Sequence, residues 1–155
     1  MKFLHTMIRV GDLDKSIDFY TNIIGLKLVR KTEYPHGDFT LAFLAINEND
    51  PEPFLELTYN WGIENYDLGK GFGHIAIGVD DIYSICEIIK NKGGKITREP
   101  GPMKGSKSIL AFVEDPEQGL ELRLKAILFR LTVIILCLIR DPLLPIPCIA
   151  HGIFK

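Results

Sequence analysis

An internal repeat constrains the fold of this 155-residue chain more than any other feature of its sequence. The segment LHTMIRVGDLD, residues 4–14, returns as GHIAIGVDDI, residues 73–82, with His5 and His74 at the same place in each copy. Further matches follow in the same order: LAF at 41–43 and at 110–112, 69 residues apart like the histidines, and FLEL at 54–57 with GLEL at 119–122, 65 residues apart. An ordered series of matches predicts two copies of one structural module.

Each copy has the same predicted elements, a strand, a helix and three further strands. Asp12 and Asp81 stand before apolar residues spaced three and four apart, which predicts helices capped by these aspartates and ended by Gly25 and by Gly93–Gly94. The later strands are predicted at Lys27–Lys31, Phe39–Leu44, Phe54–Tyr59, Lys95–Arg98, Ser108–Val113 and Gly119–Leu124. The fold class is therefore α+β, with a tandem of βαβββ modules.

The alternation of side chains along these strands places four polar residues on comparable faces. In each strand the aliphatic residues point towards the helices, which leaves His5, Glu56, His74 and Glu121 on the opposite face of their sheets. Two neutral imidazoles and two carboxylates balance the charge of a divalent metal ion and suit it as ligands. Such a set leaves coordination positions open for substrate oxygens. His36, in a turn, and His151 have no repeat counterparts, so we interpret them as structural or solvated.

The last thirty residues differ abruptly in composition from the rest of the chain. Residues 126–139 read AILFRLTVIILCLI, a run too short for a confident membrane span and interrupted by Arg130. We therefore expect one domain, 1–125, made of modules at about 2–60 and 71–125, and an apolar tail, 126–155, of unknown role. A chain stopped after Lys125 should stay folded, because the tail has no counterpart in the repeat.

Charge and cysteine usage exclude several classes of partner. The net charge is −2, which gives no general attraction for nucleic acid. The three cysteines, Cys86, Cys137 and Cys148, lack metal or redox spacing and are typical of free thiols in a reducing compartment. Charged residues begin at Lys2, too early for the apolar core of a signal peptide. These features predict a cytoplasmic protein with no nucleic-acid or membrane partner.

Several motifs resemble one enzyme family. LHTMIRVGDLDKSIDFY, LELTYNWG, GFGHIAIGVDD, GPMKG and AFVEDP resemble segments of the glyoxalase I family, the lactoylglutathione lyases, within the vicinal-oxygen-chelate superfamily. The resemblance covers roughly Lys2 to Leu122. It implies paired βαβββ modules and the metal-dependent isomerisation of the methylglyoxal–glutathione hemithioacetal to S-lactoylglutathione, a step in methylglyoxal detoxification.

The resemblance also implies a site. His5, Glu56 and His74 stand in matching motifs as metal ligands, and Glu121 is the best candidate for the fourth ligand and catalytic base, with Glu56 as the alternative base. The implied contacts to glutathione come from Arg9, Asn60, Lys70, Lys104 and Gly105. One divalent metal ion per site is expected, nickel before cobalt or zinc. A homodimer is expected too, with each site shared between subunits.

The last strand departs from the family pattern. EDPEQGLELRL places Glu121 two residues after Gly119, where the family has its acid four residues after glycine, and Arg123 brings a positive charge to the same face. An altered hairpin and a shifted reading frame both remain open as explanations. Glu114 and Glu117 are the fallback acids, although both have the sequence context of loop residues.

Three alternative functions follow from this departure and from the wider superfamily. One is a degenerate, inactive glyoxalase-fold protein, and another is a metal-free protein that binds small molecules. A third is an iron extradiol dioxygenase, which uses two histidines and one glutamate. The four candidate ligands argue against the metal-free protein, and Glu56 with the segment ELTYNWG, residues 56–62, argues against the dioxygenase. The degenerate protein stays open as the alternative to the lyase.

Overall fold

The computed structural model describes residues 1–67, 69–117 and 121–127. The first module consists of β1 (His5–Arg9), α1 (Leu13–Asp18), a π-helical turn (Phe19–Ile23), β2 (Lys27–Tyr34), β3 (Phe39–Ala45) and β4 (Phe54–Asn60). The second consists of β5 (His74–Val79), α2 (Ile82–Asn91), β6 (Lys95–Pro102), β7 (Ile109–Glu114) and β8 (Glu121–Ala126). The predicted α+β class and the repeated βαβββ order are confirmed.

The two modules share one sheet topology. The strand order is β1-β4-β3-β2 in the first sheet and β5-β8-β7-β6 in the second. In both, the first and last strands of the module pair in parallel and the other neighbours pair antiparallel. The last strand of each module therefore lies in the interior of its sheet, directly beside the strand that begins with a histidine.

Capping aspartates begin both helices, as predicted. The Asp12 carboxylate accepts a hydrogen bond from Lys15 N at 3.0 Å, and the Asp81 carboxylate accepts from Tyr83 N at 3.0 Å. The Ser84 hydroxyl also donates to Asp81, and this bond holds the pKa of that carboxyl below its usual range. The caps fix the chain as it leaves β1 and β5, which orients those strands against the helices.

The first helix differs from the regular helix that its apolar spacing predicts. It continues beyond Asp18 as a π-helical turn, in which both Phe19 and Tyr20 are buried. Neighbouring residues of a regular α-helix point about 100° apart, since 3.6 residues make one turn. Spacings of three and four residues counted from Leu13 place Tyr20, and not Phe19, on the inner face, whereas the wider turn buries both.

The core lies between the helices and the inner faces of the two sheets. Its buried residues include Ile8 and Val10 of β1, Leu57 of β4, and Leu122 and Leu124 of β8. These are the aliphatic positions that strand alternation assigned to the inner face. One continuous cluster contains residues of both modules. The alternation predicted from the sequence is therefore correct in β1, β4 and β8.

A carboxylate of the second module fastens it to the first. Glu117 accepts hydrogen bonds from Gly11 N at 3.1 Å and Asp12 N at 3.2 Å, and forms an ion pair with Lys15 at 3.2 Å. The sequence also makes Glu117 a fallback acid for the site. Its three contacts to α1 and the preceding turn assign it instead to the contact between modules.

The last strand extends into the predicted tail, which was expected to begin at Ala126. β8 runs through Ala126, and Ile127 N donates a hydrogen bond to Val79 O at 2.9 Å. Ala126 therefore belongs to the last strand rather than to the tail. The rest of the predicted tail, with Cys137, Cys148 and His151, lies outside the described residues. Within the described ranges, no helix has the length and apolar character needed to cross a membrane.

Candidate metal and substrate site

His5 and Glu56 form a close pair on the outer face of the first sheet. His5 Nε2 lies 3.3 Å from Glu56 Oε2. The pair can form because β1 and β4 are neighbours and both side chains point away from the helices. The second carboxylate oxygen, Glu56 Oε1, accepts a hydrogen bond from the Thr58 hydroxyl at 3.1 Å. Glu56 is thus held from two sides, which fixes the direction of its carboxylate.

The His5 ring is also positioned by an aromatic neighbour. It meets the ring of Phe43 edge to face, with centroids 6.1 Å apart and planes at 83°. The Arg30 guanidinium lies 4.2 Å from the centroid of the Phe43 ring. The His5 side chain is 42% exposed and that of Glu56 only 12% exposed, so the pair opens to solvent through the imidazole.

His74 repeats the surroundings of His5 in the second module. It is exposed at the start of β5, and its ring meets Phe112 edge to face at 5.8 Å with planes at 76°. The two phenylalanines are the last letters of the repeated LAF segments. In the part of the chain that the structure describes, however, His74 forms no ion pair with a carboxylate.

Glu121 lies on the predicted face but does not approach His74. The two residues are register partners in the parallel pair β5–β8. Glu121 Oε1 accepts a hydrogen bond from Thr97 Oγ1 of β6 at 3.3 Å. Because β6 and β5 lie on opposite sides of β8, the carboxylate is drawn away from His74.

The strand registers correct the repeat alignment at this point. Glu56 pairs with Met7, two residues after His5, whereas the residue that pairs with Ala76, two after His74, is Arg123. Arg123 is therefore the counterpart of Glu56, and the shift of 65 that aligned Glu56 with Glu121 is wrong. Strand alternation could not detect the error, because residues two apart lie on the same face.

The expected glutathione contacts fall into two groups. Arg9 ends β1 and Asn60 ends β4, both on the module that carries the His5–Glu56 pair. Asn60 Nδ2 donates to the Tyr66 hydroxyl at 2.9 Å, a contact that the sequence motif did not predict. Lys70 is exposed before β5, and Lys104 and Gly105 lie in the turn between β6 and β7.

A metal ion fits some of these residues and not others. His5 and Glu56 offer one nitrogen and one oxygen at a separation suited to ligands of a single ion, since such bonds are about 2.0–2.2 Å long. His74 offers a further exposed imidazole. Across the described residues, no three histidine, cysteine, aspartate or glutamate side chains gather within one chain. The described residues therefore bring His5 and Glu56 together, and not His74 with them.

An apolar cleft lies near the second histidine. Its volume is about 440 Å³, and its lining includes Phe54, Phe72 and His74. His5 and Glu56 do not line this cleft. The cleft is therefore separate from the paired ligands, and among its described lining residues only Thr6 and His74 have polar side chains.

Comparison with known proteins places these features in a family. The family model for the Glyoxalase/Bleomycin resistance protein/Dioxygenase superfamily matches residues 2–124. A "Probable lactoylglutathione lyase" of Synechocystis sp. is 60% identical over 117 residues, which are 76% of this chain and 89% of that protein. The "Lactoylglutathione lyase" of Neisseria meningitidis serogroup A is 54% identical over 117 residues, 76% of this chain and 85% of that protein.

Solved structures agree with the sequence matches. Glyoxalase I from Zea mays has a TM-score of 0.77 and 48% identity, and the likeness covers 81% of this chain. This chain spans only 44% of the maize chain. The Leishmania major glyoxalase I has a TM-score of 0.70 and 40% identity, over 81% of this chain and 86% of that one. The chain belongs to the Glyoxalase/Bleomycin resistance protein/Dioxygenase superfamily, as its repeat and motifs predicted.

Proposed function

We propose that this protein is a lactoylglutathione lyase, which isomerises the methylglyoxal–glutathione hemithioacetal to S-lactoylglutathione. The function and enzyme class predicted from the sequence are confirmed by relatives of that name at 53–60% identity over most of their length. The observation in the structure that carries the proposal is the His5–Glu56 pair, fixed by Thr58 and Phe43 on the face away from the helices.

The reaction needs a base close to the reacting carbons. One proton leaves the carbon that carries sulfur and hydroxyl and returns to the neighbouring carbonyl carbon. The hydroxyl proton passes to the other oxygen, so substrate and product have the same formula. Glu56 is the base in this proposal, because its carboxylate is held in place by the Thr58 hydroxyl. Glu121, the first choice from the sequence, is bonded to Thr97 and does not meet His74.

A divalent metal ion supplies Lewis-acid stabilisation of the charge that develops on the two substrate oxygens. His5, Glu56 and His74 are the residues proposed to hold it. Nickel is the expected metal, with cobalt and zinc as the alternatives. The His5 imidazole is accessible to an ion from solvent, since its side chain is 42% exposed.

The glutathione part of the substrate is proposed to bind at the edges of the site. Glutathione carries two carboxylates, which suit the exposed cations Arg9, Lys70 and Lys104. Asn60 supplies an amide already oriented by Tyr66. Gly105 has a φ of +76°, which bends the β6–β7 turn that presents Lys104.

A homodimer is part of the proposal. One module supplies the His5–Glu56 pair and the other supplies His74, and the two sheets of one chain are separate. A module of a second chain facing the first would complete the site. The cytoplasmic location stays a prediction, supported by Cys86, a free thiol buried in the core.

The test is thioester formation from preformed hemithioacetal, followed by ultraviolet absorbance, with purified protein loaded with nickel, cobalt or zinc. Turnover that disappears on chelation and returns with metal supports the proposal. Folded protein that binds a hemithioacetal analogue without turnover with any of the three metals would support the inactive alternative. Absence of both binding and turnover would reject the lyase.

A further inference from the structure

We propose that Arg123 replaces the fourth metal ligand of this enzyme, so that the ion is held by His5, Glu56 and His74 alone. This inference rests on the proposed function, because it concerns the same metal site. It departs from the two-fold set of one histidine and one glutamate per module that the sequence repeat predicts.

Strand pairing on both sides of β8 identifies Arg123 as the counterpart of Glu56. On the parallel side, Glu56 pairs with Met7 and Arg123 pairs with Ala76. Met7 and Ala76 are 69 positions apart, as His5 and His74 are. On the antiparallel side, Glu56 pairs with Phe43 and Arg123 with Phe112. Each side alone fixes the equivalence, and the two agree.

The surroundings of His5 and His74 are alike in their aromatic neighbours. The ring pairs His5–Phe43 and His74–Phe112 have centroid distances of 6.1 and 5.8 Å and interplanar angles of 83° and 76°. Histidine and phenylalanine therefore keep their arrangement in both modules. The third member of each set differs, a carboxylate in the first module and a guanidinium in the second.

Glu121 does not occupy the position of a fourth metal ligand. Its register position is that of Phe54 in the first module, because both pair with the histidine that begins the first strand. Its carboxylate is exposed and accepts a hydrogen bond from Thr97 of β6, the strand at the edge of the sheet away from β5. The acid is thus displaced along the strand by two residues from the position of a ligand.

Among the described residues, no carboxylate pairs with Arg123. Its Nε is buried and lacks a hydrogen-bond partner among the described residues, and one terminal nitrogen contacts Met103 Sδ at 3.8 Å. A guanidinium has no lone pair to donate to a metal and keeps its charge at all ordinary pH values. At this position it both removes one ligand and adds a cation that repels a divalent ion.

The inference predicts a change in metal affinity that does not depend on turnover. Arg123→Glu should tighten nickel binding at least about tenfold, since it adds a carboxylate and removes the cation. Arg123→Gln is the matched control, which removes the charge without adding an anionic ligand and should tighten binding less. Glu121→Gln should leave nickel binding unchanged.

The experiment titrates nickel alone into chelator-stripped full-length protein, with calorimetry or competition against a coloured chelator as the readout. Thermal unfolding of each stripped variant verifies its fold. Tighter binding by Arg123→Glu with no change in Glu121→Gln supports the inference. Weaker binding in Glu121→Gln, or no gain in Arg123→Glu, overturns it. If Arg123→Glu does not fold, Arg123→Gln and Glu121→Gln decide by the same criteria.

Glu56→Gln separates this inference from the proposed function. Loss of nickel affinity in Glu56→Gln establishes that the metal site exists, so a failure at Arg123 or Glu121 then counts only against the further inference. Unchanged nickel affinity in Glu56→Gln counts against the metal site of the proposed function, and the inference falls with it.

Discussion

Nε2 of His5 and Oε2 of Glu56 lie 3.3 Å apart, the one contact of this length between a histidine and a carboxylate within residues 1–67, 69–117 and 121–127. The pair joins β1 to β4 on the face that the helices leave free. The contact therefore brings together two of the three proposed metal ligands within one module. Its repeat partner, His74, lies beside Phe112 and has no such carboxylate contact within the same described ranges.

Glu56→Gln should lower kcat/KM by about 10²–10⁴-fold, the usual contribution of a general base. The amide keeps the shape of the carboxylate and can still accept the Thr58 hydrogen bond, but it cannot take a proton. Steady-state kinetics with the hemithioacetal measures the effect. His36→Gln, in an exposed turn, is the control and should behave as wild type. Equal losses in both variants would place the reaction on another face.

Removal of bound metal should abolish thioester formation, and nickel or cobalt should restore it better than zinc. The physical reason is that the substrate's two oxygens need a Lewis acid with open coordination positions. The measurement is the rate after chelation, dialysis and addition of each metal in turn. Full activity in protein shown by elemental analysis to hold no metal would contradict this expectation.

Mixing His5→Ala chains with His74→Ala chains should restore activity. In a mixed dimer with shared sites, one site combines His5 and Glu56 of one chain with His74 of the other and is intact. Each variant alone should be inactive. Activity is measured after the two chains are unfolded and refolded together. If mixing restores nothing although mixed dimers form, each chain builds its own site.

The buried carboxyl of Asp115 should make the free energy of unfolding fall as the pH rises above the acidic range. Burial raises the pKa of this carboxyl above that of the unfolded chain, which is about 3.9. The folded state then retains a proton that the unfolded state has released, so the stability falls as pH rises through the folded pKa. Asp115→Asn cannot ionise, and its free energy of unfolding should depend less on pH in that window.

The measurement for Asp115→Asn is urea unfolding at a series of pH values between about 2 and 7, a range that includes the pH region below the unfolded pKa of a carboxyl. The amide oxygen can still accept the hydrogen bond from Glu117 N, which is 2.7 Å long in the wild type. Asp81→Asn is a control of opposite sign, since the Ser84 hydroxyl lowers the pKa of Asp81 and its stabilisation is lost as pH falls. Parallel pH curves for wild type and Asp115→Asn would refute the assignment.

A chain stopped after Ile127 should fold, stay active and express in more soluble form than the full chain. LTVIILCLI, residues 131–139, is apolar and uncharged, a composition that promotes association when exposed. A stop after Lys125 should be less stable, because it removes Ala126 from β8 and the bond from Ile127 N to Val79 O. Soluble yield and thermal unfolding of the three chains test this. Loss of folding in the chain ending at Ile127 would place the tail in the core.

The sequence alone determined the architecture and the family. The repeat of His5 at His74 predicted two modules, and alternation in β1, β4 and β8 correctly separated the buried aliphatic residues from the outer polar ones. These are local properties, because an inward or outward direction depends only on the period of the strand. The motifs added the identity of the family, which the relatives confirm.

Only the tertiary structure decided which residue of β8 corresponds to Glu56. Glu121 and Arg123 differ by two positions, so they share a face and alternation cannot choose between them. The choice is made by hydrogen bonds to β5 and β7, which fix the register and set Arg123 beside Ala76 and Phe112. Those hydrogen bonds join residues that are far apart in the chain. For that reason the sequence of β8 predicted which face of the sheet carries the site, but not which of its residues is the counterpart of Glu56.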